Sequence, residues 1–369
     1  MQFDMHSYQA IMQNVFSANK DMNVIGVHVR RLISNVSSEK YIGCVYCKNQ
    51  HGEEVCVNIN NSASQTMLYY PETQKTEFIG SLPNLKFSYT CGAYYEKNGY
   101  AYGFPRNSNK LLRININEKT VEEIDIGLDH FKIADKEILY GHHYGGALIN
   151  DKIILPPRVG ANYILCIDLN NYTCKKIFSP VLETNRFNGA ILHPNGNIYF
   201  MPSNKSSVIE FDPLTENVGI IGQPVPVNLF GGTVYLDGCI YSFSQKEGLY
   251  RIDIANSKTE LVTDKAGDTP IGGCYGTITH FNGKIYGIPG NFSNLCEYDP
   301  VTEKARIYCT FDDGRFNKDK WAGGQLLTNG NIYMVPAFGR FVAEIVFDGE
   351  PVISEEMRGL IFSGKFKGM

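Results

Sequence analysis

The run His142-His143-Tyr144 carries the residue types best suited to moving a proton near neutral pH. Imidazole is the commonest general acid or base, and a tyrosine beside it can donate or accept a hydrogen bond. Neighbouring side chains of a strand point to opposite faces, so one of His142 and His143 can address a site while the other serves as a hydrogen-bonded structural histidine. Both are candidate catalytic residues. A second set is cationic and aromatic. Arg106, Arg158, Lys205, Lys246 and Arg340 recur, with Asn61 and Asn291, at matching places in successive similar segments, and Arg186 and Lys320 stand at another recurring place. Guanidinium offers paired hydrogen bonds to carboxylate or phosphate, and aromatic faces stack on sugars or nucleobases. Arg106, Tyr144, Arg158, Arg186, Lys205, Lys246, Lys320, Trp321 and Arg340 are therefore the expected ligand-binding residues. The competing explanations are a solvated rim for the charges and packing between repeats for the aromatics. An aromatic residue (Tyr41, Tyr89, Tyr144, Phe187, Phe230, Tyr275, Trp321) stands at or just before a glycine in every repeat, as a packing role would also require.

Other chemistry is poorly served. His6, His28, His51 and His130 fall in different segments, and His193 and His280 stand next to tight turns. No metal set is expected, and no cofactor. Cys44 and Cys47 form a C-x-x-C, but residues three apart in a strand face opposite ways and no second pair follows. Phosphate-loop, dinucleotide and nucleophile-elbow motifs are absent.

The elements that must position these residues are repeats. Asn98-Gly99-Tyr100-Ala101-Tyr102, Asn195-Gly196-Asn197-Ile198-Tyr199, Asp237-Gly238-Cys239-Ile240-Tyr241, Asn282-Gly283-Lys284-Ile285-Tyr286 and Asn329-Gly330-Asn331-Ile332-Tyr333 share one string. Asn-Gly and Asp-Gly between alternating apolar residues predict hairpins with two-residue type I′ turns. A glycine precedes each hairpin, at Gly43, Gly92, Gly145, Gly189, Gly231, Gly276 and Gly323, with intervals of 42 to 53 residues. A third apolar run ends in turns such as Asp212-Pro213-Leu214-Thr215 and Asp299-Pro300-Val301-Thr302, and a fourth follows. Four short strands repeated seven times predict an all-β fold: a single seven-bladed propeller of four-stranded antiparallel blades, since one sheet cannot bury both faces alone. Met5, Tyr8, Ile11, Met12, Val15 and Phe16 recur at helical spacing and predict a short N-terminal helix. The expected division is residues 1–34 for that helix and a closing strand, and 35–369 for the propeller. Either residues 24–33 or residues 360–366 complete the outer edge of the blade at the opposite terminus.

The glycine, the Asn-Gly-x-Ile-Tyr string and the Asp-Pro-x-Thr turn together resemble kelch-like β-propellers over roughly residues 35–355. The chain departs from that pattern in carrying Pro105, Pro157, Pro202, Pro289 and Pro336 where a glycine pair is usual, and a single tryptophan. The resemblance implies architecture more than activity, because the fold hosts enzymes and adaptors alike. The short turns form one face of such a propeller. The loops carrying the basic residues form the other, where binding usually resides.

With 34 Lys plus Arg against 38 Asp plus Glu, the net charge of −4 provides no overall field for a nucleic acid duplex or a membrane surface. No apolar run is long enough to span a bilayer, and residues 1–16 lack a secretory pattern, so a cytoplasmic protein with reduced cysteines is expected. The leading expectation is a binding or interaction module whose basic and aromatic face takes an anionic or polar ligand: a sugar, a nucleotide or an acidic peptide. The alternatives are a lyase, epimerase or hydrolase on an anionic sugar-like substrate with a histidine acid or base, and a protein-interaction scaffold without a small ligand.

Overall fold

The computed structural model describes the chain apart from residues 1–4, 32–39, 84–87, 130–141, 204–205, 227–228, 245–246, 272, 291–293, 311–320, 338–340 and 365–369. Seven four-stranded antiparallel sheets are the blades of a β-propeller. Blade one holds Tyr41–Lys48, Glu54–Asn60, Thr66–Tyr70 and Lys75–Ile79, and blade two Tyr89–Tyr95, Tyr100–Pro105, Lys110–Asn115 and Thr120–Asp125. Blade three holds Ala147–Ile149, Lys152–Leu155, Tyr163–Asp168 and Thr173–Phe178, and blade four Phe187–Leu192, Ile198–Pro202, Val208–Phe211 and Val218–Ile221. Blade five is Leu229–Leu236, Cys239–Ser244, Leu249–Asp253 and Lys258–Thr263, and blade six Cys274–Thr279, Ile285–Pro289, Asn294–Asp299 and Lys304–Thr310. Blade seven joins Trp321–Leu326, Ile332–Pro336 and Phe341–Phe347 to Val24–Arg31 from the other end of the chain.

The chain divides into two compact units. The first four blades make one, from Ser38–Leu192 and Gly196–Ile220. Within it, Val45, Val57, Ile59, Leu68, Tyr89, Leu112 and Ile114 form a core between blades one and two, and Ile154, Ile164, Phe187, Phe200, Ile209 and Phe211 form one between blades three and four. The alternation of strand residues puts these on the faces turned to the neighbouring sheet. Close approach is needed where first strands meet: a Cβ on Gly145 would lie 2.8 Å from the Cα of Gly189.

The second unit contains Met1–Ser37, His193–Asn195 and Ile221–Met369. In it the predicted helix, Met5–Asn19, lies on hairpin turns. Tyr8 packs on Tyr235 with ring centroids 5.9 Å apart, Gln13 donates to Asp237 at 3.0 Å, and Phe16 sits over Gly283. His193 packs edge-on against Tyr235, and His280 stacks on Phe347 while donating from Nε2 to the Gly330 carbonyl. Both are structural, as their place beside the turns suggested. Val24–Arg31 supplies the outer strand of blade seven, pairing from Val24 with Phe347 to Arg31 with Phe341. The C-terminal alternative is a helix instead, Glu355–Phe362, in which the Ser354 hydroxyl accepts from the Met357 amide and Met357, Leu360 and Ile361 are buried.

The turns differ in one respect from expectation. Asp237 and Gly238 both have positive φ, as a type I′ turn requires, whereas at Asn282-Gly283 and Asn329-Gly330 the glycine alone does. There the Gly283 and Gly330 amides bond back to His280 and Leu327. This is a turn closed by a left-handed glycine, the other common hairpin solution.

Candidate functional site

Entry to each first strand and exit from the second are tied together by main-chain hydrogen bonds through blades one to four. The Asn61 amide donates to Lys40, Ser88 to Asn61, Arg106 to Ser88, His142 to Arg106 and Arg158 to His142, at 2.7 to 3.0 Å, and Phe187 and Ser203 continue to Pro157 and Arg186. Each step alternates between closing one blade and reaching the next. The backbone is satisfied by this ladder, which leaves the side chains of its members to project where the sequence placed its candidates.

Three of those candidates converge. The Tyr144 ring has the Arg106 guanidinium carbon 5.2 Å from its centroid and that of Arg158 4.7 Å away. Arg106, Tyr144 and Arg158 are 7%, 8% and 8% exposed, so two cations and the ring between them are nearly desolvated. A guanidinium near an aromatic ring is attracted by the ring quadrupole, most strongly away from water. Burial pulls the Arg106 guanidinium below its ordinary range, opposed by Tyr144 and Cys91, and it still keeps its proton at any physiological pH. Burial raises the Tyr144 phenol, with both arginines and a hydrogen bond to Thr90 working against the rise.

The two histidines separate as strand geometry requires. His142 is a rung of the ladder, and burial pushes it down to about 4, so it is neutral at pH 7. His143 pairs with Pro157, donates from Nδ1 to the Pro156 carbonyl at 2.9 Å and packs on the Tyr163 ring. It too is pushed down to about 4, mainly by burial. Its register is that of Tyr89 opposite Pro105, Phe187 opposite Pro202 and Trp321 opposite Pro336. His143 is thus the packing residue of blade three, and Tyr144 stands one residue further along. The aromatic series read from the sequence as one position is two: a buried packing position that includes Trp321, and the position of Tyr144.

The remaining candidates are less gathered. Arg186 is exposed, with its carbonyl in the ladder. Trp321 is buried in the unit of blades five to seven. Lys205, Lys246, Lys320 and Arg340 lie outside the described residues. Asn61, read from the sequence at the same recurring place as Arg106 and Arg158 but not as a ligand-binding residue, is buried; sequence reasoning missed two others, the buried Asn188 and the buried Cys91, which bears on the ionisation of Arg106 and Tyr144. The signal for Asn188 was its place after the packing aromatic Phe187, the place Tyr144 takes after His143. Among the described residues no group of three or more His, Cys, Asp and Glu side chains could hold a metal ion, and no helix is long and apolar enough to cross a membrane.

No protein-family model matches the chain, and no curated protein matches it in sequence. Solved structures match in fold. A streptogramin B lyase is similar with a TM-score of 0.66 and 11% identity, covering 88% of this chain and 98% of that one. The virginiamycin B lyase of Staphylococcus aureus, in a catalytically inactive form with quinupristin, is similar at 0.65 and 12%, covering 86% and 99%. The WD40 β-propeller domain of Doa1 is similar at 0.60 and 9%, covering 88% and 98%. At these identities the likeness is one of fold, and it makes the chain a β-propeller related in architecture to lyases and to a WD40 domain alike.

Proposed function

We propose that this protein is a ligand-binding β-propeller whose Arg106–Tyr144–Arg158 cluster takes a small anionic ligand such as a sugar acid or sugar phosphate. The observation that supports this reading is the pair of nearly buried guanidinium groups on one tyrosine ring. Desolvated cations are costly to keep and bind an anion more strongly than solvated ones do. A kelch-like lineage and a cytoplasmic setting belong to the same proposal; the Asn-Gly-x-Ile-Tyr strings support the first, and eight free cysteines among the described residues support the second.

The test is a thermal-shift screen against glucuronate, glucose phosphate and nucleotides, followed by calorimetry on any compound that stabilises the protein. Arg158→Gln and Arg106→Gln are each expected to weaken binding on the order of tenfold to a hundredfold, the loss of a charge-assisted hydrogen bond. A screen with no stabilising anion, or an affinity unmoved by both substitutions, sinks the reading. A lyase acting on an anionic substrate is the second reading. Its support is the neutral His142, whose main chain stands between those of Arg106 and Arg158 in the ladder, together with the lyases among the similar folds. Turnover of a bound anion, abolished in His142→Ala with binding retained, is the result expected of it.

A further inference from the structure

Five Asn-Gly dipeptides stand in the chain, beginning at Asn98, Asn188, Asn195, Asn282 and Asn329. Each is a latent reaction centre. The main-chain nitrogen of a glycine has no side chain to shield it, so it can attack Cγ of a preceding asparagine and expel ammonia, which makes such asparagines labile. The attack needs an asparagine that water reaches, a glycine N–H not already engaged in a hydrogen bond, and room at the glycine for the ring that forms.

Four of the five lack at least one of these. Asn188 is buried, and its Gly189 lies against Gly145. Asn282 is buried as well; its Nδ2 donates to the Met22 carbonyl and the Tyr286 hydroxyl, and the Gly283 amide donates to the His280 carbonyl at 3.0 Å. Asn329 is exposed, but the Gly330 amide donates to the Leu327 carbonyl at 3.0 Å, and Met22 and Pro351 lie over that glycine. Asn98 is exposed too, yet its Nδ2 donates to the Tyr102 hydroxyl at 2.9 Å and the Gly99 amide to the Tyr95 carbonyl at 3.0 Å.

Asn195-Gly196 meets every requirement. It forms the turn between Phe187–Leu192 and Ile198–Pro202 of blade four, Asn195 is exposed, and a Cβ on Gly196 would meet nothing within 4 Å. Unlike the amides of Gly99, Gly283 and Gly330, that of Gly196 donates to no carbonyl among the described residues. The Asn195 amide donates to Nδ1 of His193 at 3.1 Å. His193 in turn packs edge-on against Tyr235, with ring centroids 4.4 Å apart, and Tyr8 of the N-terminal helix rests on the same tyrosine.

We propose that Asn195-Gly196 is a site of spontaneous covalent modification, where the folded protein converts asparagine to aspartyl and isoaspartyl and so loosens the N-terminal helix. The Gly196 nitrogen gives its proton to solvent hydroxide and attacks Cγ of Asn195. The N–Cγ bond forms, the Cγ–Nδ2 bond breaks, and Nδ2 leaves as ammonia with a proton taken from water. Water then opens the succinimide ring at one of its two carbonyls, giving aspartyl from one and isoaspartyl from the other. No electrons are exchanged with any other molecule. The isoaspartyl form lengthens the turn by one main-chain carbon and shifts the Asn195 amide from His193, whose ring helps to hold Tyr235 beneath Tyr8.

The experiment incubates the full native chain at mildly alkaline pH and follows all five dipeptides by peptide mapping and mass spectrometry, with a second sample unfolded in urea to give the unprotected rates. In urea the five rates are expected to be similar. In the native chain Asn195 keeps its unfolded rate within a few fold, while the other four slow on the order of tenfold or more, the effect of a hydrogen bond that must break before attack. Hydrogen exchange at residues 5–19 rises in the isoaspartyl chains and stays flat in equally aged Asn195→Gln, an exposed change that keeps the fold. Protection of native Asn195 equal to that of Asn329, or a faster reaction at any of the other four, overturns the assignment. Exchange at residues 5–19 that is unchanged in isoaspartyl chains, or that rises equally in Asn195→Gln, overturns the link to the helix.

Discussion

His142, His143 and His280 are held neutral in the folded chain, each pushed down to about 4 chiefly by burial. The unfolded chain, with ordinary imidazoles, binds protons first as the pH falls below neutrality. Stability contributed by these groups is therefore full above the unfolded value, near 6.5, and is lost progressively as the pH drops towards 4. Each histidine is expected to cost about 2 kcal/mol between pH 7 and pH 5. Denaturant melts at the two pH values check this, and His280→Phe, which sits on Phe347 without a titrating group, should flatten the difference. If the variant and the parent lose the same stability, burial of a neutral imidazole is not the cause. At this scale the sequence disclosed Arg106, Tyr144 and Arg158, because cations and aromatics at recurring places are visible in a string of letters. It could not separate His142 from His143, since that depends on which of two adjacent side chains meets the Pro156 carbonyl. Nor did it expose Cys91: the glycine in the string is Gly92, and the bulge register is one residue earlier.

Hairpin turns show how one element acquires two environments. Gly99 and Gly283 share φ of 75°, but a Cβ on Gly99 would meet its nearest neighbour at 3.9 Å, the Tyr94 hydroxyl, while one on Gly283 would be 3.3 Å from the Phe16 ring. Gly99→Ala is expected to cost about 1 kcal/mol for the left-handed backbone alone. Gly283→Ala should cost that and more, because the N-terminal helix has to shift. Thermal melts of the two variants decide the matter, and equal losses would mean that the helix contributes nothing at that turn. The strands and the helix were legible from period and turn residues. The C-terminal helix was not, although Met357, Leu360 and Ile361 have the spacing of one helical face and Ser354 is a capping residue. The apolar run at residues 360–362 is too short for period alone to decide between strand and helix.

The whole molecule carries a net charge of −4, while the candidate site is cationic. Attraction of an anion is therefore local and short in range, and because the arginines are nearly buried, mobile ions screen them weakly. Raising salt from about 0.05 to about 0.5 M is expected to weaken anion binding by only a few fold, within the reach of the Debye length. Calorimetry across that range tests it, and a steep dependence would place binding on solvated surface charges instead. The seven-blade architecture was the most legible feature because it is written repeatedly, so that errors in one copy are corrected by the others. Function is written once, at the places where copies differ. The ladder from Asn61 through Ser88, Arg106 and His142 to Arg158 shows why those differences are tolerated: its bonds belong to amides and carbonyls, which every residue but proline supplies. Each rung is in effect a socket that accepts interchangeable teeth, so a protein of this build can be retuned to a new small molecule by exchanging single side chains without renegotiating the frame that carries them.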